Sequence, residues 1–263
     1  MYQISNMKIK EVVVALERFA PLPLQESYDN AGLQIGLTEA EASGVLLCLD
    51  VTEDVIREAE ERGCNVVIAH HPLLFRGLKR ISDTTYVERC VREAIVRGIA
   101  VYAAHTNLDN ARGGVNFKIA EKLGLTNVRF LAEQGEGGSG ILGDLSTEER
   151  PMDFLQRVKS TFGVDCLMHN AGPDGMIRTV AVCGGAGDFL LGDAIQAGAD
   201  VFLTGEMGYH IYFGHEKEIW IGVLGHYQSE QYTIELMGEI LQAAYPGLKL
   251  CQTTINTNPI HYL

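Results

Sequence analysis

Short apolar runs alternate with amphipathic stretches along most of the chain, and this alternation predicts an α/β fold. Val45–Cys48 and Asn65–Ala69 are apolar runs of strand length, and Asp54–Arg62 between them has apolar residues at helical spacing. Gly63 follows the helical segment, as a helix stop commonly does. Buried strands linked by helices form largely parallel sheets, so the pattern predicts βαβ units.

The same pattern occurs twice. Gly63–Ile68 corresponds to Gly198–Leu203 at an offset of 135 residues. A later apolar run that ends in His105 corresponds to one that ends in His226, where the offset has fallen to 121. The second copy is therefore 14 residues shorter between its last two strands.

The flanks of the two copies correspond as well. Leu33–Gly36 and Cys166–His169 are candidate first strands. Amphipathic segments predict an opening and a closing helix in each copy: Lys8–Phe19, Asp153–Phe162, Gly114–Leu123 and Glu230–Ala244. These elements predict an internal duplication of an α-β-(β-α)3 unit with mixed, mostly parallel sheets.

The first α/β repeat is predicted to cover residues 1–131 and the second to cover 132–263, and we expect elements near the C-terminal end to cross to the first lobe. The glycine-rich stretch Gln134–Gly140 is interpreted as a mobile connector. The chain has 263 residues and 46% hydrophobic content, so it has a core without disulfide staples. Six cysteines form no C-x-x-C pair and are interpreted as buried, reduced thiols.

Charge and hydropathy narrow the classes of function. A formal net charge of −13 argues against nucleic-acid binding, which depends on a basic surface. It leaves room for a small anionic substrate, because local charge can oppose the global sign. No signal peptide and no apolar stretch of membrane-spanning length is evident, so we expect no membrane contact and a cytoplasmic location.

Unusual polar residues follow the predicted strands, at the edge where ligands of parallel sheets gather. His70 and His71 come directly after a buried strand, and Pro72 prevents the strand from continuing. Since adjacent residues of an extended chain point to opposite sides, the two imidazoles can reach two different metal ions.

Two further strands each end in a histidine that is followed four residues later by a carboxylate. The pairs are His105 with Asp109 and His226 with Glu230. Residues at this spacing on a helical turn can face one point, and imidazole with carboxylate is a normal ligand set for Zn, Mn or Fe. The alternative for each residue is an ordinary hydrogen-bonded surface histidine, but four such histidines at strand ends favour a metal site.

Three other features each have two interpretations. Gly184–Gly187 could cradle an anion or permit tight strand–helix packing, and its lack of a phosphate-binding motif favours packing. Glu206 is either a group beside the metal site or an exposed carboxylate. Arg76, Lys79 and Arg80 follow the double histidine and either receive an anionic group of the substrate or form a solvated loop.

Five runs resemble the Nif-three-like (YbgI-type) family, whose members are often called GTP cyclohydrolase type-two homologues. The resemblance spans Ile9 to Pro259. The runs are Tyr28–Gly36, Ala69–Phe75, Ala104–Asp109, Leu203–Glu206 and Gly225–Glu230. The resemblance implies two intertwined, three-layer α/β lobes, a toroidal homohexamer and a dinuclear metal centre. Tyr28 stands where many relatives have Trp, and we expect this difference to affect packing.

The resemblance also assigns roles to residues. It implies that two divalent ions (Zn, Fe, Mn or similar) are held by five ligands, with Glu230 bridging both ions. The ligands are His70, His71, Asp109, His226 and Glu230. In this pattern His105 neighbours the metals without binding them and acts in orientation or acid–base chemistry, so we take it as the catalytic residue.

A dinuclear-metal-dependent hydrolase is the resulting functional hypothesis, because two ions activate water and polarise the scissile bond. The resemblance implies a purine nucleotide such as GTP as the small anionic substrate, although a fold alone does not fix a substrate. The alternatives are a metal-binding regulatory or scaffold protein without turnover, and a metal-trafficking protein.

Overall fold

Two sheets, each covered by helices, organise the computed structural model, which describes residues 7–263. The chain divides into two units. Unit 1 comprises the described residues up to Leu108 together with Thr233–Pro259, and unit 2 comprises Asp109–Tyr232 and Ile260–Leu263. The α/β class predicted from the sequence is confirmed, whereas the repeat boundary between residues 131 and 132 stays a prediction.

Unit 1 is built on a five-stranded sheet in the order β1-β4-β3-β2-β11. The strands are β1 (Gly32–Ile35), β2 (Val45–Cys48), β3 (Val66–Ala69), β4 (Ala100–Ala103) and β11 (Leu250–Gln252). Strand β1 pairs with β4 in antiparallel fashion, and the other three pairs are parallel. Every residue of β2, β3 and β4 is buried, which explains their continuous apolar sequences.

Five helices accompany this sheet. They are α1 (Ile9–Phe19), α2 (Glu53–Glu61), α3 (Tyr86–Val96), the short α4 (Thr106–Asp109), which reaches the unit boundary, and α9 (Thr233–Ala244). Thr52 and Thr85 start α2 and α3, because their hydroxyls accept hydrogen bonds from backbone N–H groups of the first turn. Helix α9 packs on α1, and Tyr245 just beyond it donates to the carbonyl of Glu11 at 3.1 Å.

Unit 2 is built on a six-stranded sheet in the order β5-β6-β8-β9-β10-β7. The strands are β5 (Thr126–Gln134), β6 (Gly137–Glu149), β7 (Met168–His169), β8 (Ile177–Cys183), β9 (Val201–Thr204) and β10 (Trp220–Val223). The helices are α5 (Val115–Leu123), α6 (Pro151–Thr161), α7 (Leu191–Gln196) and α8 (His226–Glu230). Strands β8, β9 and β10 are parallel, and antiparallel strands flank them on both sides.

The internal duplication is visible in strand order and register. The order β1-β4-β3-β2 in unit 1 matches β7-β10-β9-β8 in unit 2, with the same orientations. Val45 pairs with Val66 and Val180 pairs with Val201, which reproduces the offset of 135. The equivalent residues of β4 and β10 are offset by 120, so the offset of 121 at the histidines reflects one additional residue, Gly225, before His226.

Three local expectations are corrected. The glycine-rich stretch is not a connector, because it forms the turn and first residues of the β5–β6 hairpin, with Gly135 in the left-handed conformation (φ 57°) that tight hairpins need. The predicted closing helix from Glu230 is two helices, α8 and α9. Cys166 is exposed in the loop before β7, although all six cysteines are free thiols as predicted.

Each unit has its own apolar core. In unit 1, Leu46, Val67 and Val101 belong to a buried cluster between the sheet and helices α2 and α3. In unit 2, Ala181, Phe202 and Ile221 belong to a second cluster. No helix in the described part of the chain is both long and apolar enough to cross a membrane.

Candidate metal centre

The double histidine of unit 1 lies at the carboxyl end of β3. His70 is completely buried, and its Nδ1 donates to the carbonyl of Ala104 at 2.7 Å. The Nδ1 of His71 donates to Asp50 Oδ1, also at 2.7 Å. An oxygen acceptor at Nδ1 fixes the proton there and leaves the lone pair on Nε2, which is the arrangement found in metal-binding histidines.

Asp50 is the carboxylate that orients His71. It directly follows the β2-terminal segment and also accepts a hydrogen bond from Thr257 Oγ1 at 2.6 Å. Burial, the largest influence, raises the pKa of Asp50, but the hydrogen bonds from His71 and Thr257 outweigh it and hold the pKa below its ordinary value. Asp50 therefore remains ionised beside the imidazole.

A second carboxylate orients His105, which lies just beyond β4. Its Nδ1 donates to Asp29 Oδ1 at 2.8 Å, and Asp29 Oδ2 accepts from the backbone N–H and the hydroxyl of Thr106. The Asp29 side chain is 0% exposed. Burial raises its pKa, but the hydrogen bonds from His105 and Thr106 prevail and lower the pKa of Asp29 to about 2.

The three histidines of unit 1 converge. Each offers one nitrogen, and these nitrogens lie within 4.8 Å of one another. The ring centroids of His70 and His71 are 4.9 Å apart, and that of His105 lies 5.3 Å and 5.6 Å from them. Neutral imidazoles with oriented Nε2 atoms are ligands for Zn, Fe and related ions, so the residues present fit a divalent metal.

In unit 2, His226 lies between two carboxylates. Its Nδ1 contacts Glu206 Oε1 at 2.8 Å, and its Nε2 contacts Glu230 Oε2 at 3.1 Å. His226 begins α8 and Glu230 ends it, so the predicted spacing of four residues does place both groups on one side of a helical turn. Glu230 is only 4% exposed.

Asp109 also belongs to unit 2 and lies near Glu230. It is the last residue of α4, and its carbonyl accepts from Asn116 Nδ2 at 3.4 Å. Burial, and then the negative charges of Asp109 and Glu230, raise the pKa of the Cys183 thiol, which shows that both carboxylates lie close to the end of β8. The five predicted ligands thus form two sets, one in each unit, and a shared dinuclear centre stays a prediction.

Some orienting residues were missed from the sequence. Asp50 follows β2 at the same sheet edge as His70, and this position was the available signal. Asp29 was noted only as a turn residue. The question about Glu206 is answered by its contact with His226, and Gly184 and Gly185 lie against Glu230, as tight packing requires.

Comparisons with known proteins agree with this arrangement. The family model described as Duf34/NIF3 (NGG1p interacting factor 3) matches residues 7–259. A GTP cyclohydrolase 1 type 2 homolog of Clostridium perfringens is 35% identical over 229 residues, which cover 85% of this chain and 87% of that protein. The protein of the same name from Lactococcus lactis is 34% identical over 264 residues, which cover 97% of this chain and 99% of that protein.

A solved structure gives the same result for the fold. A hypothetical protein of Staphylococcus aureus matches with a TM-score of 0.91 at 27% sequence identity, over 98% of this chain and 100% of that one. Since the family model covers nearly the whole chain and relatives above 30% identity align along most of it, the chain belongs to the Duf34/NIF3 family.

Proposed function

We propose that the protein is a hydrolase that depends on two divalent metal ions. His70 and His71 of unit 1 and Asp109, His226 and Glu230 of unit 2 are the proposed ligands, with Glu230 shared by both ions. The observation that carries the proposal is the convergence of His70, His71 and His105, each with Nδ1 held by an oxygen acceptor. Such orientation is characteristic of metal-binding imidazoles.

When bound, two such ions supply an activated water and a polarised scissile bond. The protein contributes position and proton transfer. Asp29 holds the proton of His105 on Nδ1, so Nε2 is the atom at which His105 accepts a proton and returns it to the leaving group. Asp50 and Glu206 keep the imidazoles of His71 and His226 in fixed orientations.

The proposed substrate class is a purine nucleotide such as GTP, with opening of the ring as the reaction. The names of the relatives in Clostridium perfringens and Lactococcus lactis support this choice. A fold accommodates many substrates, so the identity of the nucleotide needs a direct test.

Metal content and turnover test the proposal together. Protein purified with its native metal should contain about two divalent ions per chain by elemental analysis, the number that a two-metal site requires. It should also turn over a member of a panel of nucleotides and phosphoesters. Glu230→Gln should lower both metal content and turnover at least tenfold, because it removes a charged ligand from a nearly buried position.

Glu148→Gln is the matched control, since Glu148 is an exposed carboxylate of the same unit and the change should leave both quantities unaltered. Absence of bound metal even after reconstitution, or wild-type turnover in Glu230→Gln, contradicts the proposal. Metal at the expected level without turnover of any substrate favours the regulatory or trafficking alternatives.

Assembly and location complete the proposal. We propose a homohexamer in the cytoplasm, supported by membership of the family and by the lack of a membrane-spanning helix among residues 7–263. Light scattering coupled to size-exclusion chromatography tests the assembly directly, and a monomer at micromolar concentration contradicts it.

A further inference from the structure

Two exposed aromatic rings lie beside the histidines of unit 1. Tyr28 is 64% exposed and Phe75 is 44% exposed. Their ring centroids are 6.4 Å apart, and the Phe75 centroid lies 6.2 Å from that of His105. We call Tyr28 and Phe75 the aromatic edge. The sequence suggested that Tyr28 serves packing, but a ring exposed to this extent contributes little to a core.

Hydrogen bonds fix the backbone on which the aromatic edge stands. The side chain of Asn30 donates to the carbonyl of Leu74 at 2.6 Å, and the N–H of Leu74 donates to Gln34 Oε1 at 2.9 Å. These bonds join the loop before β1 to the loop after His71. Asp29, next to Tyr28, is tied to His105. Both rings are therefore held at defined positions relative to the proposed proton-transfer residue.

Three cations follow Phe75 directly. Arg76, Lys79 and Arg80 are all exposed. Within the described residues 7–263, no ion pair or hydrogen bond occupies their side chains. A local group of unpaired cations in a chain of net charge −13 is a place where an anion is attracted against the overall sign.

We propose that the aromatic edge stacks against the planar base of a nucleoside phosphate, while Arg76, Lys79 and Arg80 receive its phosphate groups. Aromatic rings provide a face for any heteroaromatic base, and guanidinium groups match phosphate oxygens in pairs. Neither group alone indicates a nucleotide, but rings and cations on one loop, next to oriented imidazoles, match its two halves. This inference rests on the proposed function and specifies how its substrate is recognised.

Binding of a non-hydrolysable ligand tests the inference without turnover. Calorimetry on the metal-loaded protein would use guanosine 5′-(β,γ-imido)triphosphate, guanosine and tripolyphosphate as probes. Tyr28→Ala and Phe75→Leu should each weaken binding of the triphosphate analogue and of guanosine about tenfold, the usual worth of one stacking contact, and should leave tripolyphosphate unaffected. Tyr28→Phe and Phe75→Tyr keep the rings and should restore binding.

The cations should show the opposite selectivity. Replacing Arg76, Lys79 and Arg80 together with Gln should weaken binding of tripolyphosphate and of the analogue at least tenfold, with guanosine unchanged. Phe189→Ala and Arg92→Gln are matched controls, because both residues are exposed and lie outside the aromatic edge and its loop, and neither should alter binding.

The outcomes separate this inference from the proposed function. If metal content and turnover behave as proposed but Tyr28→Ala and Phe75→Leu bind the analogue like wild type, the aromatic edge is not the base site. Failure of the metal-loaded wild type to bind the analogue also overturns the inference. Loss of an oligomer in these variants, with analogue binding unchanged, would identify the aromatic edge as a contact between subunits instead.

Discussion

The carboxyl ends of the two equivalent sheets carry different chemistry on the same frame. In unit 1, Asp50 follows β2, and His70 and His71 follow β3. At the offset of 135 residues, unit 2 has Gly185 in place of Asp50 and Gly205 in place of His70. The registers of the paired strands are identical, so the copies differ in their side chains at this edge and not in the backbone frame.

The glycines of unit 2 make room for a helix. A Cβ added at Gly185 would lie 2.3 Å from Glu230 Oε1, and one added at Gly205 would lie 2.6 Å from Ser229 Oγ. Helix α8 therefore lies directly on the strand ends and carries its carboxylate there. One copy places its chemical groups on the strand ends, and the other places them on the following helix.

The largest expected effect is that of Gly185→Ala. Gly185 has φ 61°, so alanine there is strained, and its methyl group would collide with Glu230. Overpacking and left-handed strain together should lower the free energy of unfolding by about 3 kcal/mol. Urea denaturation of metal-free protein at pH 7 measures this change without a contribution from metal binding.

Gly192→Ala is the control for that substitution. Gly192 lies within helix α7, and a Cβ there would meet no atom within 4 Å. Alanine should therefore be neutral or slightly stabilising. If both variants show the same free energy of unfolding, the tight contact between α8 and the strand ends does not have the importance assigned to it.

A second contrast concerns the carboxylates that hold the two equivalent histidines. Asp29, which holds His105, has a side chain that is 0% exposed, whereas the side chain of Glu206, which holds His226, is 55% exposed. Water can replace a hydrogen bond at the second position but not at the first. The same pairing of imidazole and carboxylate should therefore differ in its contribution to stability.

Asp29→Asn should lower the free energy of unfolding by about 2 kcal/mol at pH 7, because hydrogen bonds to a buried charged group are strong. Asn offers only one acceptor oxygen, whereas Asp29 accepts from His105 and twice from Thr106. At least one buried donor therefore loses its acceptor. Urea denaturation of the metal-free variant measures the loss, and a change below about 0.5 kcal/mol, the range of an exposed pair, contradicts the burial argument.

The pH dependence sharpens the same prediction. The pKa of Asp29 lies at about 2 in the folded chain, below its ordinary value of 3.8. A lowered pKa means that the stabilisation is present above the ordinary value and is lost as the pH falls through the folded value. The difference between wild type and Asp29→Asn should therefore shrink between about pH 4 and pH 2, and a difference that is constant over this range contradicts ionisation of Asp29 as its cause.

Much of this arrangement was predictable from the sequence, for a physical reason. Parallel strands that are buried on both faces have continuous apolar sequences, so β2, β3, β8 and β9 and their offset could be recognised without a structure. The position of His70 and His71 after β3 followed from the same pattern. The spacing of His226 and Glu230 likewise indicated one side of a helical turn.

The orienting contacts could not be predicted in this way. His105 and Asp29 are 76 residues apart, and they meet because β1 pairs with β4 in antiparallel fashion and brings the preceding loop to the histidine. No local pattern encodes that pairing. The glycines beneath Glu230 were recognised as a packing feature, but the helix that packs there was not identifiable from their spacing.

Glu206→Gln should have the smallest effect. The glutamine carbonyl can still accept the hydrogen bond from His226 Nδ1, and the position is exposed, so the free energy of unfolding should fall by less than about 0.5 kcal/mol. The same urea experiment applies, with Glu148→Gln as an exposed carboxylate that contacts no histidine. A loss as large as that of Asp29→Asn would show that exposure does not distinguish the two pairs. In that case the contrast between the two copies would lie only at the strand ends, where glycines in unit 2 replace the aspartate and histidine of unit 1.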